Sequence, residues 1–190
     1  MNITKIEGLK HFRKLSRNRY EFTFNFINEN EYGDVGRTPS ILTTIISNKH
    51  GVLDINNITL YTFSNKGHAI ECFPTRELVY HIQSLIVKEI TYNRLANITC
   101  KGNTYDLLYY ALGEELIGKT EFLNTLHGHM EAESKEALSN LINNTEKDFY
   151  VLKNNNLYTL IFIKDGLIVI NTREFNIDEI LKFLISYSKR

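Results

Sequence analysis

The chain has 190 residues, 43% of them hydrophobic and 23% charged, which fits a folded globular protein and excludes a disordered one. Lys and Arg number 22 and Asp and Glu number 22, so no global field announces a polyanionic partner. Cys72 and Cys100 have neither metal-ligand nor disulfide spacing, no apolar run is long enough to span a bilayer, and no secretory apolar region opens the chain; an intracellular, reducing setting without a membrane is expected.

In chain order, residues 1–7 read as a short strand and Leu9 to Ser16 as a weak, basic helix. Tyr20 to Phe26 alternates strictly, with Tyr20, Phe22, Phe24 and Phe26 on one face of a strand. Asn28 to Pro39 is a polar loop, Ser40 to Ser47 a β-branched strand, and Val52 to Ile58 a kinked strand. Leu60 to Phe63 then runs into a turn at Ser64 to Gly67 and returns over His68 to Phe73. Pro74 and Thr75 open a helix whose apolar stripe is Leu78, Val79, Ile82, Leu85, Ile86 and Ile90. Asn97 to Lys101 is a short strand, and Tyr105 to Leu116, Thr120 to Met130 and Lys135 to Asn143 are helical stretches. Asp148 to Leu152 and Tyr158 to Ile163 are strands, with Leu167 to Ile170 returning after a turn at Lys164-Asp165-Gly166. Asn176 caps a last helix carrying Ile177, Ile180, Leu181, Leu184 and Tyr187 at helical spacing.

The hairpin-plus-helix unit occurs twice. Phe63 and Gly67 correspond to Phe162 and Gly166, and Thr75-Arg76-Glu77 corresponds to Thr172-Arg173-Glu174. Each half also opens alike, with Asn2-Ile3-Thr4 and Gly8, then Asn97-Ile98-Thr99 and Gly102. This spacing predicts an internal duplication, residues 1–95 and 96–190, with extra helices around 113–145 outside the repeat and free to serve a partner.

These features resemble the core domain of the TATA-box-binding protein family. The stretches that carry the likeness are Met1-Asn2-Ile3-Thr4 and Ala96-Asn97-Ile98-Thr99, Asn30-Glu31-Tyr32 leading to Thr38-Pro39-Ser40, and the hairpins Leu60 to His68 and Leu160 to Leu167. The resemblance implies an α+β fold, a duplicated saddle whose curved antiparallel sheet carries its helices on the convex face. It implies a transcription initiation factor that bends A·T-rich double-stranded DNA through the minor groove, with basal transcription factors and RNA polymerase as partners, at the site of transcription. No cofactor is implied. Phe63 and Phe162 match wedge positions, the type of side chain that partly unstacks a base step. Tyr61, Leu160, Ile70, Cys72, Val169 and Asn171 match groove-facing positions, and Asn2 and Asn97 would offer amides to A·T acceptors. Thr38 stands at the family's other wedge position, with Phe149 its counterpart in the second half. His68 and Leu167 replace a phosphate-contacting lysine, which implies weak, less salt-dependent affinity.

Alternatives sit beside each of these readings. Phe63 and Phe162 can be hairpin core residues, and the basic N-terminal segment a solvated face. His127-Gly128-His129 with Glu131 and Glu133 has H-x-H spacing, but Gly128 suggests a helix end and no metal is expected. No nucleophile–base set, phosphate loop or carboxylate pair stands out, so the chain is not expected to be an enzyme. The competing function is a protein-interaction module or inhibitor that uses the same sheet.

Overall fold

The computed structural model describes residues 5–27 and 40–190, which places Asn2, Tyr32 and Thr38 outside the described residues. The chain divides into two compact units, Met1–Asn103 and Thr104–Arg190. Strands and helices are both abundant, and the pairing is mostly antiparallel, with the short pair β4–β7 parallel, so the class is α+β.

The first unit contains β1 (Lys5–Ser16), β2 (Arg19–Ile27), β3 (Ser40–Lys49), β4 (Val52–Asp54), β5 (Leu60–Phe63), β6 (Ala69–Cys72), α1 (Arg76–Asn93) and β7 (Asn97–Thr99). The strict alternation of β2 does what it predicts. Tyr20, Phe22, Phe24 and Phe26 are all buried, and Ile46, Thr44 and Leu42 of β3 lie opposite the first three. Each such buried side chain is worth about 1.5–3 kcal/mol relative to exposure.

The basic stretch 9–16, expected as a weak helix, is instead part of β1. As a strand it gains partners that an isolated helix would lack. Phe12 packs its ring 5.2 Å from Phe22 and 6.2 Å from Tyr20, and the Lys14 ammonium lies 5.8 Å over the Tyr20 ring. Helix propensities differ by only tenths of a kcal/mol per residue, and a set of cross-strand contacts outweighs them.

Helix α1 begins where Thr75 accepts the Leu78 N–H at 3.3 Å, and ends at Arg94 in the left-handed conformation, φ 49°. Its buried stripe is Leu78, Ile82, Ile86 and Ile90. The Tyr20 hydroxyl donates to the Leu95 carbonyl at 3.4 Å, which ties the buried face of the sheet to the end of this helix. Asn97–Thr99, read from sequence as the opening of a second repeat, pairs in parallel with β4 and belongs to the first unit.

The second unit contains α2 (Thr104–Leu112), β8 (Leu116–Gly118), α3 (Lys119–Leu126), α4 (Ala132–Asn143), β9 (Phe149–Asn154), β10 (Leu157–Lys164), β11 (Leu167–Phe175) and α5 (Ile177–Ser188). Its strands form an antiparallel sheet in the order β8-β9-β10-β11. One cluster of buried side chains joins them to the helices: Phe122, Leu126, Leu138, Leu141, Phe149, Leu160 and Leu184 are among its members. Residues 113–145, expected outside the repeat and free to serve a partner, supply a large part of this core. The apolar stripes of α3 and α4 have to be covered, and the sheet face carrying Phe149, Val151 and Leu160 is what covers them.

Candidate functional site

The alternation that buries four aromatic rings of β2 sends Glu21, Thr23 and Asn25 to the opposite face. Register extends that face across the unit. His11 lies opposite Thr23, Thr23 opposite Thr43, Thr43 opposite Tyr61, and Tyr61 opposite Glu71. A parallel row runs from Arg13 through Glu21 to Ile45. A groove of about 500 Å³ lies on this face, and Arg19, Glu21, Thr43, Ile45, Tyr61 and Phe63 line it. Ile45, Tyr61 and Phe63 are exposed within it.

The groove has a mixed chemistry. Thr23 and Thr43 share a hydroxyl–hydroxyl hydrogen bond at 3.4 Å, and Ser47 and Thr59 add further hydroxyls at the lining. Arg13 holds Glu21 through an ion pair at 3.1 Å. Among the described residues, Arg19 and Glu71 have no ion-pair partner. Carboxylates and guanidiniums are thus interspersed on one open sheet that also presents two aromatic rings. No model of a protein family, no characterised protein and no solved structure matches the chain.

Only part of the sequence-derived site comes together here. Tyr61 and Phe63 share the open face, with Ala69 opposite Phe63. His68 sits at the exposed hairpin tip, its backbone N–H donating to the Ser64 hydroxyl at 3.1 Å. Ile70 and Cys72 pair with Thr62 and Leu60, and so belong to the other face; Cys72 is buried there. Asn97 lies opposite Val52 in the parallel pair, half-buried.

The second-half positions differ in kind. Phe149 and Leu160 are fully buried in the core against α3, α4 and α5, which corrects their expected place in a groove. Phe162 lies on the same helix-covered side, with its ring 5.3 Å from Tyr187, 6.2 Å from Phe149 and 6.4 Å from Phe183. Val169 is opposite Phe162 and shares that side. Asn171 accepts the Arg173 N–H at 2.9 Å, a local turn bond. Leu160 and Phe162 are thus not the counterparts of Tyr61 and Phe63 in exposure. The helices of the second unit cover the face that the first unit leaves open at Tyr61.

Thr43, Ile45, Arg19 and Glu21 were not anticipated as site residues. Their signal was present in the strict alternation of β2, whose polar positions must line one continuous face if the aromatic ones are buried. Among the described residues, the groups with displaced pKa values lie in the second unit. Burial, then the nearby Asp148 and Tyr105, raises the Tyr150 hydroxyl, and burial raises that of Tyr187. The Glu179 carboxyl is held low by the Asn176 backbone N–H and by Arg173. Among the described residues, no group of three His, Cys, Asp or Glu side chains could hold a metal ion.

Proposed function

We propose that the protein is a non-enzymatic binding protein that holds a protein partner on the open face of its first unit. The observation that carries this reading is the groove bearing exposed Tyr61, Phe63 and Ile45 beside interspersed Arg19, Glu21 and Glu71. Exposed aromatic rings within a patch of both charges are what a protein surface can match, since rings anchor and the polar rim selects. A polyanion would meet the Glu21 and Glu71 carboxylates on the face it had to approach, an arrangement that opposes phosphate binding. The test places a photo-crosslinking residue at Phe63 and, as control, at Lys182 on α5. A discrete protein adduct at 63 only, lost when Tyr61→Ala is added, is expected. Equal labelling at both positions would overturn the reading.

The second reading is the duplicated saddle that bends A·T-rich DNA as a transcription initiation factor. What favours it is the recurrence of a hairpin turning on a glycine of positive φ, Gly67 at 78° and Gly166 at 74°, each followed by a side-chain-capped helix. Against it stand the packing of Phe162 on α5 and the carboxylates of the open face. A salt series of gel shifts on A·T-rich and G·C-rich duplexes separates the two. Tight, A·T-selective binding that Phe63→Ala abolishes would restore the DNA reading and displace the first.

A further inference from the structure

Strand β6 pairs with β5 on one side and, among the described residues, with nothing on the other. A free strand edge presents unpaired N–H and C=O groups, and natural sheets usually blunt such edges with charge, proline or a bulge. Here the edge is short, four residues, and Pro74 follows it closely, yet its exposed side chains are mostly apolar. Ile70 is 45% exposed and Phe73, immediately after the strand, is 72% exposed, with Phe63 beside them at 55%. The single charge on β6 is Glu71, which has no ion-pair partner among the described residues.

We propose that β6 is a self-association edge, and that two copies of the chain pair it antiparallel about a twofold axis through Ile70. Three features of the chain favour a second copy. The chain carries zero formal net charge, so two copies do not repel each other. The exposed apolar groups lie on both faces of one short edge, which a twofold partner covers with the same residues. The third observation is register.

A twofold axis normal to the sheet pairs residues that lie on the same face, so the axis can pass through Ala69, Ile70 or Glu71. Centring on Glu71 sets two carboxylates directly opposite each other, which destabilises the pair. Centring on Ala69 sets Ile70 against His68 and carries Phe73 out to Asn65 in the turn. Centring on Ile70 sets Ile70 against Ile70, Glu71 against Ala69, and Phe73 against Gly67. Gly67 suits that role, because a Cβ built there would meet nothing within 4 Å, and the space beside it can take a ring. Phe63, opposite Ala69 within its own hairpin, stays one strand removed from the partner copy. The interface is small, four residues of strand from each copy, and belongs with transient associations.

Sedimentation velocity across a concentration series is expected to show a reversible monomer–dimer equilibrium. Ile70→Lys, at a half-exposed position, should keep its melting temperature and weaken association by about tenfold or more, because the central contact is lost and two like charges then lie directly opposite each other. A covalent test fixes the register. Directly opposed Cα atoms lie about 4.5–5.5 Å apart, within disulfide reach, whereas diagonal positions lie about 7–8 Å apart. Mild oxidation with diamide should therefore cross-link Ile70→Cys into a dimer and leave Ala69→Cys and the wild-type chain monomeric. A monomer at every concentration, with no Ile70→Cys cross-link, would overturn the proposal. Equal cross-linking of Ala69→Cys would overturn the register. A Phe63 adduct with a second copy has twice the mass of the chain, which tells it apart from an adduct with another protein, so the two readings fail separately.

Discussion

The ring of Phe149 is fully buried between its sheet and the helices of the second unit, so truncation opens a cavity that its neighbours cannot fill. Phe149→Ala is expected to cost about 3–5 kcal/mol in urea denaturation. Phe63 is exposed, and Phe63→Ala should change stability by less than about 0.5 kcal/mol while weakening capture of the partner at the open face. Phe162 falls between these limits, at about 1–3 kcal/mol, because its ring is partly buried against Phe183 and Tyr187. A Phe162→Ala variant with unchanged stability would mean that this ring is not packed on α5. These residues also show where sequence reading stops. Period-two alternation assigns Tyr61 and Phe63 to one face and Leu160 and Phe162 to one face, but it cannot say which face a helix will cover. That choice depends on contacts between segments far apart in sequence, and the two units made it differently.

Elements with local signals were legible. Thr75 and Asn176 are both side-chain caps where they were expected, because an N-cap depends on three or four neighbouring residues. At α5 the box is reciprocal: Asn176 accepts the Glu179 N–H at 2.9 Å, and Glu179 accepts the Asn176 N–H at 3.1 Å. Asn176→Ala should cost about 0.5–2 kcal/mol in thermal or urea unfolding. The Glu179 carboxyl lies below its ordinary value in the folded chain, first through that backbone N–H and then through Arg173 at 2.6 Å. Its contribution is therefore present above the ordinary carboxylate range and is lost as pH falls through the depressed folded value. Glu179→Gln should flatten the acid limb of a stability–pH curve and leave the alkaline limb unchanged. An unchanged acid limb would show that the Glu179 carboxylate does not contribute to the acid dependence of stability. The β1 strand was not legible, because its partner rings are on β2 and its own residues favour no element strongly.

At the scale of the whole molecule, the repeat in the sequence marks two hairpin–helix units, yet their surroundings are unlike. Helices α3 and α4 have no counterpart among the described residues of the first unit, and they are built into the second unit's core through Phe122, Leu123, Leu126, Leu138 and Leu141. Deleting residues 118–145 is therefore expected to unfold the second unit, seen as loss of its cooperative transition and of slow hydrogen exchange in β9 and β10. A fully folded deletion product would show that these helices are dispensable. Apolar periodicity predicted the helices themselves, but an insertion relative to a repeat looks the same in sequence whether it decorates a fold or fills it. The amine of Lys119 makes the same point from inside that segment. It is 8% exposed and donates to the carbonyls of Asn144 and Lys147 at 2.9 and 3.4 Å, with Asp148 at 3.8 Å. A single ammonium thus gathers the carbonyl groups of the turn between α4 and β9. Amine-reactive reagents should modify the exposed lysines quickly and Lys119 only when that turn opens, so its labelling rate, read by mass spectrometry, is a built-in clock for local unfolding of the second unit.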